Sequence, residues 1–194
     1  MISSSIVLEK LTSSFQALPY PGDLNLVYDN TGNHLECVEI QQTFAGKHWS
    51  ELSQETLIRE SSALAFLTPE AFRFYLPAYL SNVVRDFDES DALPETSVYY
   101  LTLPVEADSL INLNCIQQQQ SNETKLEVSQ FLIEELSRST QKVHQFMELM
   151  SGLNQQQGQA IRYYLEYLKA EKNDYFFSNE PEIAIERYWF IFPL

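Results

Sequence analysis

Basic residues are scarce in this chain. Twelve Lys and Arg stand against 27 Asp and Glu in 194 residues, a formal net charge of −15. Phosphate backbones need a basic footprint and anionic membranes attract polybasic segments, so neither nucleic acid nor a membrane is an expected partner. Cysteine is limited to Cys37 and Cys115. Such low use makes no disulfide framework and fits a reducing cytoplasm. Glycine is also low at 5 residues, which argues against a turn-rich all-β chain. No glycine-rich phosphate loop, dinucleotide-binding pattern or nucleophile elbow is present. With 3 His, acid–base chemistry would rest on carboxylates, which are too many for any one pair to stand out. No cofactor or catalytic residue is therefore assigned.

Long apolar runs are missing as well. No stretch approaches the roughly 18 apolar residues of a membrane span. The start, Met1-Ile-Ser-Ser-Ser-Ile-Val-Leu-Glu-Lys10, has no basic flank ahead of an apolar run and does not read as a secretory signal. The expected location is the cytoplasm. The apolar end, Tyr188-Trp-Phe-Ile-Phe-Pro-Leu194, is expected to be buried in the fold or in an interface, where it could join a homodimer.

What the chain does have is helical patterning. The apolar share is 44% and aromatics reach 13%, concentrated in segments of helical spacing. Residues 1–194 are read as a single, mainly α domain of about seven helices. Leu8, Leu11, Phe15 and Leu18 make one stripe on a helix over 4–18, ended by Pro19. Leu26 to Tyr28 suits a short extended piece. Cys37, Ile40 and Phe44 share one side of a helix over 34–45, with Gly46 as its left-handed cap. A third helix is expected over 53–65. Thr68, Pro69 and Glu70 then write a strong helix start, running to about Asp86 with a kink at Pro77. Residues 86–124 form an acidic, partly irregular connection. In it Val98-Tyr-Tyr-Leu-Thr-Leu103 has β-type residues without clean alternation, whereas Pro94-Glu95 equally suits the opening of a short helix. Gln117–Ser121 reads as a polar loop. A long helix over 123–151 places Val128, Leu132, Leu136, Val143, Phe146, Met147 and Met150 inward and closes at Gly152. Asn154 caps the next, over 155–172, with Ile161, Tyr164, Leu165 and Leu168 inward. A last short helix covers 180–189.

The chain also echoes itself. Ala71-Phe-Arg-Phe-Tyr-Leu76 returns as Ala160-Ile-Arg-Tyr-Tyr-Leu165, which suggests two related helical hairpins, 54–80 and 126–168. Three segments, Phe44-Ala-Gly-Lys-His-Trp49, Leu67-Thr-Pro-Glu-Ala-Phe-Arg-Phe-Tyr-Leu-Pro-Ala-Tyr-Leu80 and Gln159-Ala-Ile-Arg-Tyr-Tyr-Leu165, resemble a family of uncharacterised bacterial proteins, classed as a domain of unknown function. The resemblance spans roughly residues 5–170. It implies a small soluble bacterial protein and carries over no activity or site residue.

Candidate sites are few. His34-Leu-Glu-Cys37 brings a His and a Cys close together, but His48, Cys115 and His144 are scattered, and a metal needs three or four ligands. No metal site is assigned. Asp86-Phe-Asp-Glu-Ser-Asp91 opens like a calcium loop, yet Asp91 stands where that loop needs glycine and Ser97 where it needs glutamate. Between Arg85 and Lys125 there is no Lys or Arg. The carboxylates Asp86, Asp88, Glu89 and Asp91 in that interval read as a solvated surface or as a docking face for a basic protein. Arg73 and Arg162 occupy equivalent places in the echo, either as structural ion pairs or as an anion-binding pair. Pro77 withdraws a donor from the turn that holds the Arg73 carbonyl, so the pair marks a broken local rule. The leading reading is a non-catalytic protein presenting an acidic face to a basic partner, as an inhibitor or immunity-type protein does. The competing readings are a carboxylate or metal-assisted enzyme with a tyrosine-lined pocket and a structural homo-oligomer.

Overall fold

The computed structural model describes residues 2–108, 111 and 125–194. It is mainly α-helical. In chain order the helices are α1 (Ser4–Phe15), α2 (Leu35–Phe44), α3 (Gln54–Arg59), α4 (Pro69–Arg85), α5 (Leu93–Leu101), α6 (Lys125–Met150), α7 (Gln155–Glu171) and α8 (Glu180–Arg187), with short 3₁₀ turns between several of them. Cys115, the Gln117–Ser121 loop, the start of the long helix at Glu123 and the inward placement of Val128 lie outside the described residues. The chain packs as two units, Met1–Thr102 with Leu149–Leu194, and Leu103–Glu148.

The core of the first unit is α4. Ala71, Phe72 and every residue from Phe74 to Val84 are buried, and a helix apolar on all sides belongs inside. Its start forms as the sequence predicts. The Thr68 hydroxyl accepts from the Ala71 amide at 3.2 Å and donates to the Asn25 carbonyl at 2.7 Å. The adjoining backbone makes an isolated antiparallel bridge, Val27 to Leu67, so the extended piece expected at Leu26–Tyr28 serves to pin the α4 start. No strand occurs among the described residues. α4 continues helical through the buried Pro77.

Around α4 pack α1, α3 and α5, while α1 also packs on α7 and α7 on α8. α1 ends at Phe15, earlier than its apolar stripe suggests, and turns Val7, Leu11 and Phe15 inward; Leu8 and Leu18 are half-buried. α3 stops at Arg59, short of Ala65. Two serines follow Glu60, and serine hydroxyls compete for backbone hydrogen bonds. The polypeptide resumes as a 3₁₀ turn at Ala63–Ala65 that buries Ala63 and Leu64. Of the two readings of Val98–Leu103, the helix is the one formed. Pro94 sits in the first turn of α5, and Ser97, Val98 and Leu101 are buried on one side. Local β-type composition yields to that packing.

The apolar C-terminus divides. Trp189 is fully buried and donates its indole N–H to the Leu101 carbonyl at 2.6 Å, and Phe192 is buried too. Phe190, Ile191 and Leu194 remain exposed.

In the second unit α6 carries Glu135, which accepts from Lys142 Nζ at 2.7 Å beside Arg138 at 3.4 Å. Both cations hold the Glu135 carboxyl below its ordinary range, Lys142 most. Leu132, Leu136 and Val143 are half-buried and Phe146 is buried. Met147, expected inward, is 42% exposed. It follows directly on Phe146, so the helical turn carries it about 100° off that buried line.

Candidate functional site

The residues singled out from the sequence fall in three places. Arg73 Nη1 donates to the Leu149 carbonyl at 3.1 Å, and its Nη2 lies 3.6 Å from Glu70. The guanidinium lies over Gly152, where a built Cβ would come within 2.6 Å of Arg73 Cζ. Gly152 follows the end of α6, as expected, without a positive φ. It keeps space for an arginine that ties the end of α6 to α4. Arg162 repeats the arrangement on α7. Its Nη2 donates to Glu166 at 3.0 Å and its Nη1 to the Trp189 carbonyl at 3.2 Å. The two arginines thus have separate partners, Arg73 the Leu149 carbonyl in the last turn of α6, where a cation is favoured, and Arg162 the Trp189 carbonyl just beyond α8.

Four of the other five echo positions match in burial, whereas Phe74 is buried and its counterpart Tyr163 is half-buried. Ala71 and Ala160, Phe72 and Ile161, Tyr75 and Tyr164, and Leu76 and Leu165 are all fully buried. Tyr75 donates to the Phe44 carbonyl at 2.9 Å, and the Tyr164 hydroxyl meets Ser97 Oγ at 2.6 Å. Burial raises both phenols well above their ordinary range.

The acidic residues lie together on the turn between α4 and α5. Asp86, Asp88, Glu89 and Asp91 are exposed, Asp88 at 89% of its side chain. Ser90, buried at the centre of this turn, donates to the Asp86 carbonyl at 2.5 Å and accepts from the buried Asn82 amide at 3.1 Å. Asp91 takes a left-handed conformation, φ 49°, which aspartate tolerates better than most residues. Lys172 Nζ approaches Asp88 at 3.8 Å while lying 4.5 Å over the Phe87 ring.

Next to this turn a cleft of about 280 Å³ opens between the 3₁₀ turn Trp49–Glu51, α3 and the last turns of α4. Trp49, Leu52, Leu57 and Ala78 supply its apolar wall, and Ser50, Gln54, Asn82, Arg85 and Asp86 its polar one. Its shape follows from local chemistry. His48 and Glu51 close a capping box on the 3₁₀ turn, with the Glu51 carboxylate accepting the His48 amide at 2.8 Å. Ser53 caps α3, accepting from Thr56 at 3.2 Å. Gln54 then reaches across to Asp86 Oδ2 at 3.4 Å and to the Glu89 carbonyl at 3.2 Å. Arg85 stands in the last turn of α4, where its charge suits the helix dipole.

Of the cleft residues, the sequence points to Asp86 alone as a site. Trp49 is 3% exposed and belongs to the core. Gln54, Asn82 and Arg85 line the cleft without standing in any sequence motif. One signal for Arg85 was legible: it is the last cation before the interval that lacks Lys and Arg.

His34 and Cys37 make no metal centre. The His34 ring sits between Tyr28 and Glu36, each at 3.1 Å, while Cys37 is buried in the core. Among the described residues no group of three His, Cys, Asp or Glu side chains is placed to hold a metal ion. Nor is any helix there long and apolar enough to cross a membrane.

Residues 25–109 match a family of unknown function, DUF6714. That span contains α2 to α5, the acidic turn and every residue lining the cleft. No curated protein and no solved structure matches the chain.

Proposed function

We propose that this is a non-catalytic cytoplasmic interaction protein whose acidic turn, Asp86 to Asp91, docks a basic protein partner. The observation that carries the reading is the fixed display of charge. Four exposed carboxylates stand on one short turn, held from below by the buried Ser90–Asn82 hydrogen bond. Among the described residues Lys172 is the cation that approaches them, at 3.8 Å, too long and too exposed for strong neutralisation. A turn whose backbone is held in place before binding loses little freedom on association. Complementary charge then speeds encounter and selects the partner more than it adds raw affinity. The net charge of −15 adds long-range attraction for basic proteins.

The test compares the wild type with the triple variant Asp88→Asn, Glu89→Gln, Asp91→Asn as bait on native cell extract at low and high salt. The wild type should retain a basic protein at low salt and release it at high salt. The variant should retain at least about tenfold less, since several charge contacts of order 1 kcal/mol are removed together. Equal retention by the variant, or no basic protein on the wild type at low salt, overturns the reading.

A further inference from the structure

Arginines are few in this chain, and Arg59, Arg73, Arg138 and Arg162 each meet a carboxylate. Arg85 has no side-chain partner among the described residues, although its own neighbour Asp86 lines the same cleft. A cation and an anion thus share one concavity without pairing. The apolar wall of the same cleft includes Trp49, Leu52 and Leu57. Gln54 holds Asp86 from one side, which keeps the carboxylate at the rim.

From these features we infer that the cleft binds a small zwitterion with an apolar body, the chemistry of a free apolar α-amino acid. The ligand carboxylate pairs with Arg85. The ligand ammonium pairs with Asp86, and the apolar side chain rests on Leu52, Leu57 and the indole. A cleft of about 280 Å³ accommodates a ligand of this size. The inference shares Asp86 with the docking turn but does not rest on that docking, because it needs Arg85 and the cleft wall and does not need Asp88, Glu89 or Asp91.

The chain has 2 Trp, and the indole of Trp189 is held by Leu101, so two indole N–H resonances report two places. L-phenylalanine, phenylpropionate and phenethylamine are titrated into the ¹⁵N-labelled full chain and the indole signals followed, with Trp49→Phe giving the assignment. Phenylalanine should move the Trp49 signal saturably and leave that of Trp189 in place. Each single-charge analogue should bind at least about tenfold more weakly, as each loses one charged hydrogen bond. Arg85→Gln, a change at an exposed position, should weaken phenylalanine at least about tenfold with the amide spectrum otherwise retained. An unmoved Trp49 signal with all three compounds, equal binding of an analogue, or undiminished binding by Arg85→Gln overturns the inference. Loss of zwitterion binding with intact capture of a basic protein would leave the acidic-turn reading standing.

Discussion

Two glycines of the α6–α7 region owe their identity to what lies over them. Gly152 lies under the Arg73 guanidinium, and Gly158 lies under the Phe192 ring, which a built Cβ would overlap. For Gly158→Ala two effects compete. Alanine in a helix interior gains up to about 1 kcal/mol over glycine. Displacing a buried phenylalanine loses about 1.5–3 kcal/mol of burial, and overpacking costs a similar amount. The clash wins, so Gly158→Ala should destabilise the protein by about 1–3 kcal/mol in urea denaturation. It should also make the C-terminal residues susceptible to carboxypeptidase. An unchanged or raised midpoint would show that Phe192 moves aside without cost.

At the scale of the element, α4 shows why a strong start signal matters. Pro77 takes one amide out of the helix and crowds the carbonyl of Arg73, yet the helix continues from Pro69 to Arg85. Burial on every side outweighs the missing bond, since each large side chain buried contributes about 1.5–3 kcal/mol. The Thr68 cap then works in two directions, inward to Ala71 and outward to the loop at Asn25. Thr68→Ala should cost about 1–2 kcal/mol in urea denaturation, with Thr68→Ser restoring most of it. Full stability in the alanine variant would mean that the Val27–Leu67 bridge alone positions the helix.

For the whole molecule, buried tyrosines set an alkaline limit. Burial raises Tyr75, Tyr79 and Tyr164 well above the ordinary phenol value of 10.0, and pushes Tyr100 up to about 12. Protonated phenols are favoured by the folded state. Their contribution is complete below pH 10 and is lost as pH rises through the raised values, because the unfolded chain gives up those protons first. Stability should therefore fall from about pH 10 upward. In an alkaline titration, tyrosinate absorbance should rise in two phases, the second coinciding with loss of helical circular dichroism. A single phase near pH 10 with the helices intact would contradict this.

Much of this fold is legible in the chain itself because its signals are local. Thr68 and Asn154 cap the helices that follow them, Gly46 takes its left-handed turn at φ 70°, and Ile161, Tyr164, Leu165 and Leu168 face inward as their spacing predicts. The mainly α class and the acidic balance follow from composition and periodicity alone. Contacts between distant residues were decided elsewhere. Arg73 meets the carbonyl of a residue 76 positions away, and Trp189 one 88 positions away. The apolar tail splits into buried and exposed halves only once α7 is in place beneath it. The cleft likewise exists only where Trp49, Gln54 and Arg85 converge. Capping and periodicity act over one or two helical turns, so residue order alone specifies them. Which arginine is left unpaired depends on where every carboxylate comes to rest, and only the packed tertiary structure settles that.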